Sequence, residues 1–243
     1  MNSRRRFLAS AAMLFLSRPG TAQTAAGAMR FSALRAGAGL PDWLEPYAFP
    51  NQPRHTEFTL VEDEGRTVLR AVARASAAGL TRALRVDPRA HPVLAWRWKV
   101  MNLVSRSDLA TKAGDDFPAR IYVTFDLDPA MLSLAERLQL QLARAIWGER
   151  MPLAALCYVW DSRLAVGTIA PNAYTDRVRM VVADSGPELL GRWVARERDV
   201  AQDFRRAFGT EPPLVNGVIV SADTDNTGET AESYFGDIEF RTR

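Results

Sequence analysis

Cysteine is almost missing from these 243 residues: Cys157 is the one thiol, which excludes an internal disulfide and any multi-thiolate zinc or iron–sulfur centre. It stands in the apolar run Leu156-Cys157-Tyr158-Val159, the setting of a buried core thiol. Histidine is nearly as scarce. His55 and His91 both lie close to prolines in loop-like settings, so a three-histidine zinc site is excluded and a Ser-His-Asp triad would have to recruit one of the two. There is no Gly-x-Ser-x-Gly elbow, no phosphate loop and no Gly-x-Gly-x-x-Gly, and a nucleotide cofactor therefore has no cradle. No cofactor is expected beyond the structural calcium considered below. Lysine is confined to Lys99 and Lys112, against 29 arginines, a bias that fits genome composition better than function.

What is present begins with an address. Ser3-Arg4-Arg5-Arg6-Phe7-Leu8 matches the twin-arginine export pattern position by position. The apolar stretch behind it, residues 7–16, is about half of the ~20 residues a membrane-spanning helix needs. Arg18 then follows, a charge the general secretory route tolerates poorly. Residues 1–22 therefore read as a cleaved signal, with Ala28 as the alternative small-residue site. A periplasmic protein is expected, a single domain over 29–243 with no membrane span once mature.

The net charge of +3 belongs to the signal: Arg4, Arg5, Arg6 and Arg18 fall within it and no acid does, leaving 27 basic against 28 acidic residues. A nucleic-acid partner, which would need clustered positive charge, loses its support. The sequence leaves the oligomeric state open.

From Phe58 onward, short β-type runs alternate with turn residues at 58–62, 67–73, 80–86, 93–100, 119–125, 155–160, 178–183, 217–222 and 233–241. Nine such runs without a regular helix between them predict a mainly β fold, an antiparallel two-sheet sandwich of jelly-roll type. Asp63-Glu64-Gly65 reads as the turn of a hairpin. Two helices interrupt the series. One runs from the Asp128 cap through Trp147 to Gly148, and the other starts at the Asp199 cap and stops at Gly209. Residues 36–54 read as irregular, and 192–198 as strand or helix.

Four stretches carry a family resemblance: Trp96-Arg97-Trp98-Lys99-Val100, Lys112 to Val123, Asp223-Thr224-Asp225-Asn226-Thr227-Gly228 and Tyr234-Phe235-Gly236-Asp237-Ile238. Together they resemble the exported bacterial family called domain of unknown function 3047. The resemblance spans roughly residues 31–240 and implies no activity and no catalytic residues. The layout is also similar to the galactose-binding-type jelly roll of carbohydrate-binding modules, and fold alone does not imply function.

Three constellations could carry chemistry. The run Asp223-Thr224-Asp225-Asn226-Thr227-Gly228 sets oxygen-bearing side chains at alternate positions ahead of a tight turn, as a calcium loop does. Tyr234 stands where an EF-hand needs its glutamate, so the site would be a jelly-roll calcium site completed by Asp237, or simply a turn bonded to its own backbone. Asp115 and Asp116 could take a metal, sugar hydroxyls or a proton, or could cap a loop and pair with Lys112 or Arg120. Strand alternation is expected to send Trp96, Trp98, Ile121, Val123, Phe125, Cys157, Val159, Val178, Met180 and Val182 inward. Arg97, Lys99, Arg120, Tyr122, Tyr158, Trp160, Arg177 and Arg179 are then expected on an outer face. Rings offer platforms to sugars and guanidiniums offer forks to acids, so binding of a glycan or other anionic polymer leads. A polysaccharide hydrolase or lyase using carboxylates, and an envelope assembly protein, are the alternatives.

Overall fold

The computed structural model describes residues 29–47, 52–127 and 153–243. Along these the chain forms β1 (Glu45–Tyr47), β2 (Glu57–Asp63), β3 (Arg66–Arg74), β4 (Ala77–Val86), β5 (Val93–Val100) and β6 (Arg120–Phe125). After residue 153 come β7 (Ala155–Asp161), β8 (Ile169–Asn172), β9 (Thr175–Ser185), β10 (Val194–Asp199), the helix α1 (Val200–Phe208), β11 (Val215–Asp223) and β12 (Thr230–Arg241). Glu64 and Gly65 take left-handed backbone, φ 50° and 72°, which is the tight turn that folds β2 back on β3 with Asp63 opposite Arg66. The Asp199 carboxylate accepts from the Gln202 amide at 2.8 Å and so caps α1, and Gly209, at φ 74°, ends it.

The strands make two sheets, one of seven in the order β1-β4-β11-β6-β7-β9-β8 and one of five in the order β10-β5-β12-β3-β2. The expected mainly β two-sheet sandwich is what the chain adopts. Two details differ from the sequence reading: β1 lies within the stretch read as irregular, and β8 has no counterpart among the nine expected runs. Residues 194–199 settle as strand, one of the two alternatives for that segment. One pair is parallel: β8 intervenes between β7 and β9, so β9 returns in the same direction as β7. The helix expected from Asp128 to Trp147 and the export signal lie outside the described residues. No helix among the described residues is long and apolar enough to cross a membrane.

Two apolar layers result. Between the sheets, Leu69, Trp96, Trp98, Ile121, Val220 and Phe235 are buried in one continuous core. A second cluster covers the outer face of the seven-stranded sheet, where Leu109 and Phe117, from the segment joining β5 to β6, lie on Cys157, Val159 and Met180. Burial there pushes the Cys157 thiol up to about 12, which keeps it protonated and inert at neutral pH.

Candidate functional site

The eight residues expected on one outer face are divided among four places. Arg97 and Lys99 belong to β5 in the five-stranded sheet, and the other six to strands of the seven-stranded sheet. On β7 the alternation is opposite to expectation: Tyr158 and Trp160 are fully buried between the sheets. The Tyr158 ring lies 5.2 Å from Trp96 and the Trp160 ring 6.0 Å from Trp98. The Tyr158 hydroxyl donates to Asp203 at 3.0 Å, and Trp160 Nε1 donates to the Gly186 carbonyl at 3.1 Å. β9 is inverted likewise, with Val181 and Ala183 inward and Val178, Met180 and Val182 in the outer cluster. All seven residues of β7 are buried. A strand covered on both sides shows no polar alternation, so the sequence could not fix its phase.

Arg120 and Tyr122 do point to the outer face of β6, but that face is covered. Tyr122 is half-buried against the second cluster, and Arg120 is 1% exposed. Its guanidinium pairs with Asp223, Nε to Oδ1 at 2.8 Å and Nη2 to Oδ2 at 2.7 Å, and donates from Nη1 to Asp115 Oδ1 at 3.1 Å. A further bond runs from Nη2 to the Asp115 carbonyl. Phe117 completes the cradle, its amide donating to Asp223 at 2.9 Å and its ring 4.6 Å below the guanidinium. Asp116 ties the loop to the next turn: the Thr227 amide donates to Oδ2 at 2.6 Å and Asn226 Nδ2 to Oδ1 at 3.1 Å. Asp115 is thus paired with Arg120, and Asp116 is bonded to the Asn226–Thr227 turn instead.

Asp116, Asp223 and Asp225 place carboxylate oxygens within 4.8 Å of one another and could hold a metal ion. Asp237 is not among them. It accepts from the Ser32 amide at 2.9 Å and from the Ser32 hydroxyl, on β12 of the other sheet. Asp116 takes the position assigned to it because the loop before β6 folds over the β11–β12 turn, a contact between segments more than 100 residues apart. Burial pushes the Asp223 carboxyl up to about 7 despite the neighbouring Arg120, with Asp116 adding repulsion. Burial likewise raises Asp225, whose Oδ2 accepts from Gln52 at 2.7 Å.

The outer face of the five-stranded sheet keeps the open chemistry. Arg97 and Lys99 point away from the core on β5, Arg97 half-buried and Lys99 buried beneath its neighbours, between two rings the sequence reading did not place there. The Arg97 guanidinium carbon stacks 4.3 Å from the Trp193 ring centre. The Lys99 ammonium lies 5.3 Å from Trp193 and 4.8 Å from Tyr234. Asp63 binds that ammonium and accepts from Trp193 Nε1 at 3.1 Å, while the Tyr234 hydroxyl donates to Glu232 at 2.6 Å. Tyr234 pairs directly with Lys99 across the strands. Gly236 makes room: a Cβ there would lie 2.4 Å from the Arg97 side chain. Among the described residues, Lys99 has a carboxylate partner, whereas Arg97 has neither a hydrogen bond nor an ion pair beyond its ring contact. Arg177 and Arg179 are elsewhere again, lining a cavity beside α1.

Residues 41–239 match the family described as protein of unknown function (DUF3047). The chain belongs to that family. The Arg97, Arg120 and Asp223 neighbourhoods of this DUF3047 chain all fall within the matched span. In shape it is similar to a family 11 carbohydrate-binding module from Clostridium thermocellum, whose structure is in complex with a β-1,3-1,4-mixed-linked tetrasaccharide. The TM-score is 0.41 and the identity 9%, over 86% of this chain and 94% of that one. It is similar as well to the cellulose induced protein Cip1, with a TM-score of 0.37 and 12% identity over 89% of this chain and 97% of that one. No curated protein matches the chain.

Proposed function

We propose that this is an exported, periplasmic binding protein that holds an anionic glycan, or another acidic polymer, non-covalently on the outer face of its five-stranded sheet. The observation that carries this is Arg97, a guanidinium held flat on Trp193 with its donors uncommitted among the described residues. A planar fork fixed in advance loses little freedom when it takes a carboxylate in two parallel hydrogen bonds. The Trp193 and Tyr234 rings on either side of Lys99 supply apolar platforms for sugar C–H faces. Lys99 is tied to Asp63, so its role is to fix the rings and soften the local charge. The carboxylates of Asp115 and Asp116 are spent on Arg120 and on the turn at Thr227, and for that reason polysaccharide hydrolysis or lysis is not the preferred function.

Affinity electrophoresis in gels containing polygalacturonate is expected to retard the wild type, and Arg97→Gln to weaken retention at least tenfold, about 1.4 kcal/mol. Unchanged retention with the fold intact sinks the proposal. Recovery of a protein partner from periplasm in place of polysaccharide would favour an assembly role.

Export by the twin-arginine route rests on the Ser3 to Leu8 motif. Replacing both Arg4 and Arg5 by lysine is expected to leave precursor in the cytoplasm. Mature protein appearing in the periplasm at the wild-type level would contradict the assignment.

Calcium is the second reading, for the triad of Asp116, Asp223 and Asp225. A cation there would have to displace Arg120 from Asp223 and the Thr227 amide from Asp116. The expected result is therefore one melting temperature in chelator and in calcium. A rise in calcium would assign the triad to a hard divalent ion.

A further inference from the structure

Opposite Arg97, β12 carries one residue more than β5. The register is regular as far as Phe235, which faces Trp98, and resumes at Ile238, which faces Trp96. Gly236 and Asp237 therefore share the place beside the single residue Arg97, a β-bulge of the kind that re-aims side chains next to it. Asp237 anchors the bulge: its carboxylate accepts from the Ser32 amide at 2.9 Å and from the Ser32 hydroxyl.

Gly236 supplies empty space. A Cβ on it would stand 2.4 Å from Arg97 Cγ, 2.5 Å from Nε and 3.0 Å from Cδ, so no side chain fits there while the guanidinium lies on Trp193. The φ of Gly236 is not positive, and alanine would suit its backbone. The conflict is with Arg97, to which all three of the nearest atoms belong. Trp193 is held in place by the bond from its Nε1 to Asp63 at 3.1 Å, so the arginine is the group that would give way. An arginine pushed off the ring samples many rotamers and loses that freedom again on binding, a difference of up to about tenfold in affinity for one side chain.

We infer that the Gly236–Asp237 bulge tunes the ligand face: Gly236 is a positioning residue that sets, through Arg97, how tightly the face holds a carboxylate. This rests on the binding reading proposed above. It carries a specific consequence, since the gap at Gly236 matters only while an arginine occupies position 97.

Gly236→Ala, Arg97→Ala and the double variant test it. The readouts are retention in polygalacturonate gels, the melting temperature, and the indole N–H cross-peak of Trp193 in isotope-labelled protein, assigned by its loss in Trp193→Phe. Gly236→Ala is expected to melt close to the wild type, to move the Trp193 cross-peak toward its position in Arg97→Ala, and to weaken retention about tenfold. In the Arg97→Ala background the same change should move and weaken nothing further. Wild-type retention in Gly236→Ala, a cross-peak that stays in place, or an equal loss of retention with and without the arginine would each overturn the inference. If the wild type itself is not retained, the binding reading falls, and the cross-peak still decides whether Gly236 positions Arg97. Should Gly236→Ala fail to fold, the double variant must recover, its clash having been removed; a double variant equally unfolded sinks the inference.

Discussion

Methionine in place of Arg120 is expected to cost roughly 3–5 kcal/mol, the loss seen when one partner is removed from a buried ion pair. The side chain is 1% exposed and its donors reach both Asp115 and Asp223. Methionine fills most of the volume, so the loss comes from Asp115 left without its partner and from Asp223, which must either ionise dry or take up a proton. For a chain of this size the melting temperature should fall on the order of 10 °C. The variant also has a pH signature. Asp223 already sits at about 7 in the folded protein, above the ~3.9 of an unfolded aspartate. Between those values the folded state binds more protons, so the contribution of Asp223 to stability falls as pH rises. Without the guanidinium its folded pKa moves further up and the window widens. Urea midpoints should therefore show a larger gap between variant and wild type at about pH 8 than at about pH 5. Equal midpoints at the higher pH would mean that the pair does not hold the loop.

The same residue shows where sequence reasoning stops. Alternation placed Arg120 and Tyr122 on the outer face of β6, and they are there. It could not show that the segment between β5 and β6 folds over that face and buries the arginine under Phe117. β5 was legible to its end residues because its two faces differ, tryptophans inward and Arg97 and Lys99 outward. β7 was legible as a strand and illegible as to side, since apolar layers lie on both of its faces. The aspartates of the Asp223 turn were found by local spacing, but the third carboxylate near them, Asp116, comes from across the topology. Trp193 and Tyr234 escaped for a related reason. They flank Arg97 and Lys99 only because β10 and β12 lie on either side of β5, an order that no local pattern encodes.

Trp160→Ala separates the two roles the sequence left open for that ring. A tryptophan displayed on an outer face could be truncated with little change in stability and a large loss of ligand binding. Here the ring is fully buried, packs against Trp98 at 6.0 Å, and spends its one donor on the Gly186 carbonyl. Truncation would empty a large volume between the sheets and leave that carbonyl without its donor. Tryptophan-to-alanine changes in such cores cost roughly 3–5 kcal/mol, more where neighbours cannot collapse into the space. The neighbours here are strands hydrogen-bonded on both sides, β5 between β10 and β12, and β7 between β6 and β9, so little collapse is expected. The variant should melt on the order of 10 °C lower. Below its transition it should still hold polygalacturonate as the wild type does, because Trp160 faces away from Arg97. A variant with native melting and no binding would return Trp160 to the surface and remove the distinction between the two sheets on which the proposed ligand face depends.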